Sequence, residues 1–139
     1  MNTYNFNDES FKNTNIYKQY IATNDGEGYL KIRAYAASQA LPISNLKIVV
    51  SKTIGDNNVI FFEGKTNSSG VIEKISLPAP KQIADDLVIP SSTIYDIKAT
   101  YEPDNTTTIY RVNIYDNIYV VQTINIVPTM SVAGDERWP

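Results

Sequence analysis

Apolar and polar residues alternate along most of the chain beyond residue 27, and this period of two is typical of strands that bury one face. In 28–35, for example, Leu30, Ile32 and Ala34 fall on one face. The runs that predict strands are 28–35, 46–52, 59–66, 71–77, 93–101, 108–115 and 118–127. Short strands separated by turns at this spacing predict an all-β fold, namely a seven-stranded antiparallel β-sandwich.

Turn-forming residues and prolines separate these runs. The polar segment 67–70 predicts a turn, and Asp116-Asn117 predicts a compact hairpin between the last two strands. Pro78 and Pro80 cannot donate hydrogen bonds to a strand ladder. We therefore expect them to end the fourth strand and to open a long connection over 78–92.

The N-terminal segment differs from the rest, because it is rich in Asn and its apolar residues are sparse. We divide the chain into an arm (1–26), a β-sandwich domain (27–128) and a C-terminal tail (129–139). Within the arm, 15–21 predicts one strand, which is a candidate donor to a neighbouring subunit; the alternative is a terminus without fixed structure. The residues predicted to anchor the arm are Phe6, Phe11, Ile16, Tyr17, Tyr20 and Ile21.

Composition narrows the classes of partner and chemistry. The net charge is −3, and the chain has no cluster of Lys and Arg, which argues against nucleic acid as a partner. The absence of Cys and His excludes disulfides, thiol nucleophiles and zinc sites of Cys/His type. No apolar run is long enough to insert into a membrane, and the N-terminus lacks the pattern of a signal peptide. We therefore expect a protein made in the cytoplasm without a signal peptide.

Several short motifs follow one another in an order that a known family shares. They are GYLKI (28–32), LPISNLKI (41–48) and TNSSG (66–70), followed by LPAP (77–80), YDI (95–97) and INIVP (124–128). Over about 28–130 the chain resembles the carboxypeptidase-regulatory-like, transthyretin-like β-sandwich, a fold shared with CnaB-like domains. More narrowly, it resembles the N-terminal domain of clostridial spore cortex-lytic enzyme precursors and related small proteins of spore-forming Firmicutes.

The resemblance implies a spore context but no catalysis. The cortex-lytic precursors continue into a hydrolase, whereas this sequence ends at Pro139. Isopeptide-linked domains share the sandwich type, and Lys31 and Asn125 lie on suitable strands. However, Lys31 is expected to face solvent, and the position of the family's buried acid is Ala99. We therefore expect no internal isopeptide bond.

Each of the other candidate catalytic or metal sites has a simpler explanation. Two carboxylate pairs, Asp85-Asp86 and Asp25/Glu27, have the residue type of a glycosidase, but both are better explained as solvated loop charges. The segment 56–58 offers oxygen ligands for calcium, yet Asn-rich turns are usually only turns. We expect no catalytic residue, no metal and no cofactor.

The outward face of the first predicted strand carries Tyr29, Lys31, Arg33 and Tyr35. Of these, Tyr29, Arg33 and Tyr35 form a possible ligand face for a sugar or a protein, and cross-strand pairing on a solvated sheet is the alternative. Trp138, the only Trp, is expected to dock on its own domain or on a neighbour.

The function expected from these features is that of a non-enzymatic structural subunit. Its arm would donate a strand to the open sheet edge of a second copy, and Trp138 would supply a further contact. Because such a head-to-tail contact does not close, the product is a filament or surface layer, on the spore surface or in a spore appendage. The alternative is a monomeric adhesion or glycan/peptidoglycan-binding module. A third option is a folding or inhibitory partner for a separately encoded lytic enzyme.

Overall fold

Two β-sheets pack face to face and enclose the hydrophobic core between them. The computed structural model describes residues 2–36, 41–82 and 91–127. In chain order the elements are β1 (Thr3–Asn5), α1 (Glu9–Lys12), α2 (Asn15–Thr23), β2 (Gly26–Ala36), β3 (Leu41–Pro42), β4 (Lys47–Ile54), β5 (Asn57–Lys65), β6 (Val71–Ala79), β7 (Thr93–Tyr101), β8 (Thr106–Ile114) and β9 (Tyr119–Ile126). The predicted all-β sandwich is confirmed.

The strand order explains where the sequence prediction holds and where it fails. The larger sheet has the order β1-β5-β4-β7-β8, and the second sheet is built around β2, which pairs with β3, β6 and β9. All seven predicted runs form strands, and β1 and β3 are two further strands that the sequence did not predict. The prediction of purely antiparallel pairing was wrong, because β1 runs parallel to β5 and β9 runs parallel to β2.

The connection at Asp116-Asn117 is a turn but not the predicted hairpin. β8 pairs with β7 in the larger sheet, whereas β9 pairs with β2 in the second sheet, so the connection crosses the sandwich. Two hydrogen bonds fasten it to the start of β2. The Glu27 amide donates to the Asp116 carboxylate at 3.0 Å, and the Asn117 amide donates to the Glu27 carbonyl at 2.8 Å.

Pro78 does not end its strand as predicted, because it lies within β6 opposite Glu27. Among the described strands β6 pairs only with β2, and proline is tolerated on such an edge. The Pro78 carbonyl accepts a hydrogen bond from the Tyr95 hydroxyl instead of from a further strand. The end of β6 is thereby tied to β7 of the other sheet.

The arm folds onto its own sandwich, and the strand predicted at 15–21 is wrong. This segment lies in the helix α2, whose N-cap residue Thr14 accepts a hydrogen bond from the Tyr17 amide at 3.2 Å. The helix places Tyr20 against the core, where only 7% of its surface is exposed. The segment therefore has its backbone hydrogen bonds inside a helix and offers no extended strand to a neighbour.

Candidate functional site

The outward face of β2 carries the residues predicted to form a ligand face. Because side chains alternate along a strand, burial of Leu30, Ile32 and Ala34 sends the intervening side chains outward. These outward side chains are Tyr29, Lys31, Arg33 and Tyr35, and each is half-buried or exposed. The structure therefore places all three predicted ligand-face residues on one surface.

The strands on either side of β2 extend this surface. On β9, Tyr119 lies opposite Tyr29, and their ring centroids are 5.0 Å apart. On β6, the Lys74 ammonium lies 4.7 Å from the centroid of the Tyr29 ring. We call the set Tyr29, Lys31, Arg33, Tyr35, Lys74 and Tyr119 the tyrosine face. Its centre is thus a pair of aromatic rings with a cation against one of them.

The cations of the tyrosine face are only partly neutralised by acids. Lys31 forms an ion pair with Glu73 at 3.5 Å. In contrast, Arg33 donates a hydrogen bond to the Tyr35 hydroxyl, and its guanidinium lies 5.4 Å from the centroid of that ring. Neither Arg33 nor Lys74 forms an ion pair with any described residue. The tyrosine face therefore carries two cations without an ion-pair partner among the described residues, and it also contacts an acid, because the Tyr29 hydroxyl donates to Glu27 at 3.2 Å.

The ligand face predicted from the sequence did not include Tyr119 and Lys74, although the alternation in β9 indicates an outward position for Tyr119. In β9 the buried residues Ile124 and Ile126 occupy even positions, so Tyr119 is expected on the outward face. The sequence pattern does not show that β9 pairs in parallel with β2. This pairing places Tyr119 beside Tyr29, although the two residues are far apart in the chain. A β-bulge in the β2–β6 pairing interrupts the alternation near Lys74.

Four of the six residues predicted to anchor the arm lie in a second aromatic group, between the arm and the sandwich; they are Phe6, Phe11, Tyr17 and Tyr20. We call Tyr4, Phe6, Phe11, Tyr17, Tyr20, Phe61 and Tyr95 the arm cluster. Phe6 stacks on Phe61 with ring centroids 4.5 Å apart, and Phe11 has no exposed surface. Ile16 is partly buried against the same core, and Ile21 is 36% exposed.

A chain of hydrogen bonds connects the arm to the sandwich. The Tyr20 hydroxyl donates to the Tyr95 hydroxyl at 2.7 Å, and Tyr95 donates to the Pro78 carbonyl. Beside it, the Thr93 hydroxyl donates to the Asn24 side-chain carbonyl. Burial raises the pKa of Tyr20 to about 12, and burial together with Tyr20 raises the pKa of Tyr95 further. Both phenols therefore stay protonated at neutral pH and serve as hydrogen-bond donors.

The pair Lys31 and Asn125, considered for an isopeptide bond, does not come together as a site. Lys31 lies opposite Val121 in the β2–β9 pairing, four residues from Asn125, which corresponds to about 13 Å along the strand. Among the described residues, no group of three or more acids could hold a metal ion. No helix in the described part of the chain is long and apolar enough to cross a membrane. Trp138 and Asp85-Asp86 lie outside the described residues.

No protein-family model and no curated protein matches the chain. Among solved structures, the chain is similar to Klebsiella pneumoniae 5-hydroxyisourate hydrolase, with a TM-score of 0.49 and 16% identity over 73% of this chain and 92% of that chain. It is also similar to sea bream transthyretin (TM-score 0.46, 12% identity, 71% and 86% covered). A third structure is (S)-allantoin synthase (TM-score 0.44, 15% identity, 74% and 42% covered).

These similarities concern the β-sandwich fold, and at such identities they transfer no activity to this chain. Two of the three proteins are enzymes by name. The expectation that this chain is not an enzyme stays a prediction. The relation to spore cortex-lytic enzyme precursors stays a prediction.

Proposed function

We propose that the protein is a non-catalytic binding module whose tyrosine face contacts a glycan. The observation that carries the proposal is the assembly of Tyr29, Tyr35 and Tyr119 on one outward surface, where Tyr119 is 57% exposed. Aromatic rings offer large, rigid apolar area at small entropic cost, which suits stacking against the apolar face of a sugar ring. The contacts within the face hold the rings in place before a ligand arrives.

The two unpaired cations of the tyrosine face favour a glycan that carries carboxylates. Arg33 and Lys74 are directed at rings and not at acids, so they remain available to an anionic group. Peptidoglycan carries such carboxylates, and the resemblance to domains of cortex-lytic precursors suggests it as the first ligand to test. In this proposal the protein tethers itself to wall material in a spore context.

The test is co-sedimentation of the full chain with insoluble peptidoglycan. Tyr119→Ala and Arg33→Ala are each expected to weaken binding by about two- to tenfold, because each removes one stacking or charge contact. The matched control is Arg111→Ala, since Arg111 is also exposed but lies on the larger sheet beside Asp96. Equal binding of all variants, or no binding of the parent chain, would refute the proposal.

Self-assembly is a second candidate, and the open sheet edges favour it. Among the described strands, β8 pairs only with β7 and β9 only with β2. Apolar side chains near these edges are exposed, with Ile109 at 65% and Val121 at 51%. Unprotected edges of this kind can pair with a second copy. Donation of the arm, by contrast, requires Phe11 and Tyr20 to leave their buried positions first.

Light scattering of the full chain over a range of concentrations tests this candidate. Growth of the mass with concentration supports assembly, and Val121→Lys is expected to suppress it by placing a charge at the edge. Ile109→Lys provides the comparison for the β8 edge. A monomer at every concentration would remove self-assembly from consideration while leaving glycan binding untouched.

A further inference from the structure

A groove lies where the arm meets the ends of β2 and β6, and Glu27 on its rim connects it to Tyr29 of the tyrosine face. Its volume is about 630 Å³, which is within the range of small-ligand sites. The arm contributes Phe6, Tyr17 and Ile21 to the walls, and β6 contributes Pro78. The groove exists only because the arm is folded onto its own sandwich.

Three aromatic residues, Phe6, Tyr17 and Phe61, form part of the walls of the groove. The Phe6 ring stacks on Phe61 at 4.5 Å and lies 5.1 Å from Tyr17, so the three rings form a continuous group. Ring faces attract cations, and their apolar area suits an aliphatic chain. These walls would accept a ligand that is apolar along its length and positive at its end.

The rim of the groove is acidic. Asp25 and Glu27 both line it, and no Lys or Arg is among the described residues that do so. Other acids of the protein, such as Glu63, Glu73 and Asp96, form ion pairs with described cations, whereas these two do not. The groove therefore combines uncompensated negative charge with aromatic walls.

Neutral donors hold both carboxylates in position. The Lys81 backbone amide donates to one oxygen of Asp25 at 3.3 Å, and the Tyr29 hydroxyl donates to one oxygen of Glu27 at 3.2 Å. A carboxylate has about four lone-pair sites, so each retains acceptor capacity for a ligand. Two carboxylates that line one groove with aromatic rings suit the three donors of an alkylammonium group.

We infer that this groove binds a primary ammonium group on an aliphatic chain, as in a lysine side chain. The aliphatic part lies against Ile21, Pro78 and the rings, and the ammonium lies between Asp25 and Glu27. Nα-acetyl-lysine methylamide is the probe, and Nα-acetyl-norleucine methylamide has the same chain without the charge. The inference does not depend on glycan binding by the tyrosine face.

Titration of the isotope-labelled full chain by NMR tests the inference. The lysine probe is expected to shift the amide signals of Asn24, Gly26 and Glu27, and the norleucine probe is expected to bind more weakly. Asp25→Asn and Glu27→Gln keep an acceptor oxygen for the existing hydrogen bonds while removing the charge. Each is expected to raise the Kd of the lysine probe by about two- to fivefold, the range for an exposed ion pair.

Two controls distinguish this site from others. Asp56→Asn removes an acid outside the groove and is expected to leave the Kd unchanged. Arg33→Ala alters the tyrosine face and is likewise expected to have no effect on the lysine probe, so failure of glycan binding and failure of this site are separate outcomes. The inference is overturned if the two probes bind equally, if their shifts lie elsewhere, or if Asp25→Asn and Glu27→Gln both leave the Kd unchanged.

Discussion

The arm cluster and the tyrosine face are both rich in Tyr, but the same residue type has opposite surroundings in the two regions. In the arm cluster, Tyr95 has no exposed surface, and its hydroxyl is hydrogen-bonded to Tyr20 and Pro78. On the tyrosine face, Tyr29 and Tyr119 pack ring against ring on the outside of a sheet. The comparison indicates that the arm cluster stabilises the fold, whereas the tyrosine face is available for binding.

The largest difference is expected when an aromatic ring is truncated in each region. Phe11→Ala should lower the free energy of unfolding by about 3–5 kcal/mol, because it leaves a cavity under the arm. Urea denaturation of the full chain measures this, with Tyr119→Ala as the matched truncation on the tyrosine face. Similar losses for both variants would contradict the assignment of stability to the arm cluster.

Removal of a single hydroxyl is expected to give a smaller difference. Tyr95→Phe should lower the free energy of unfolding by about 1–3 kcal/mol, since the Pro78 carbonyl and the Tyr20 hydroxyl both lose a buried partner. Tyr35→Phe removes a hydroxyl on the outer surface and should change stability by about 0.5 kcal/mol or less. Thermal unfolding of the two variants side by side checks this pair.

Alkaline pH offers a test without any substitution in the parent chain. The pKa of Tyr20 is raised by burial to about 12, against 10.0 for an ordinary Tyr. Below pH 10 the phenol is protonated in both the folded and the unfolded state, so its contribution to the free energy of unfolding is fully present. As the pH rises toward 12, the unfolded state loses the proton first, and the free energy of unfolding falls. Tyr20→Phe should reduce this loss, and an unchanged pH dependence of the urea midpoint would contradict it.

The smallest effects on stability are expected on the tyrosine face itself. Arg33→Ala and Lys74→Ala should each change the free energy of unfolding by about 0.5 kcal/mol or less, because both side chains are exposed. Chemical denaturation of these variants, measured beside Phe11→Ala, completes the comparison. A loss of several kcal/mol in either variant would mean that the face is part of the stabilising core.

The sequence predicted the strands well because their period of two is local. It failed at 15–21, where Ile and Tyr suggested a strand, although Ile16, Tyr17, Tyr20 and Ile21 also have the spacing of one helical face. Thr14 was a further signal, because it is a favourable N-cap residue. Whether Asp116-Asn117 forms a hairpin or a connection between the two sheets depends on which sheet each flanking strand joins. The residue types in the turn do not determine this.

The candidate site was predictable only in part. Tyr29, Arg33 and Tyr35 share a face because they alternate along one strand, and this much follows from periodicity alone. The contribution of Tyr119 depends on parallel pairing between distant segments. The groove depends on packing of the arm, and Asp25/Glu27 therefore looked like ordinary loop charges in the sequence.

Glycan binding by the tyrosine face is tested most directly by co-sedimentation of the parent chain, Tyr119→Ala and Arg111→Ala with insoluble peptidoglycan, after the folding of each has been verified. If the tyrosine face binds the glycan, the parent chain and Arg111→Ala bind alike and Tyr119→Ala binds more weakly. Loss of binding in Arg111→Ala but not in Tyr119→Ala, or no binding by any of them, would contradict it.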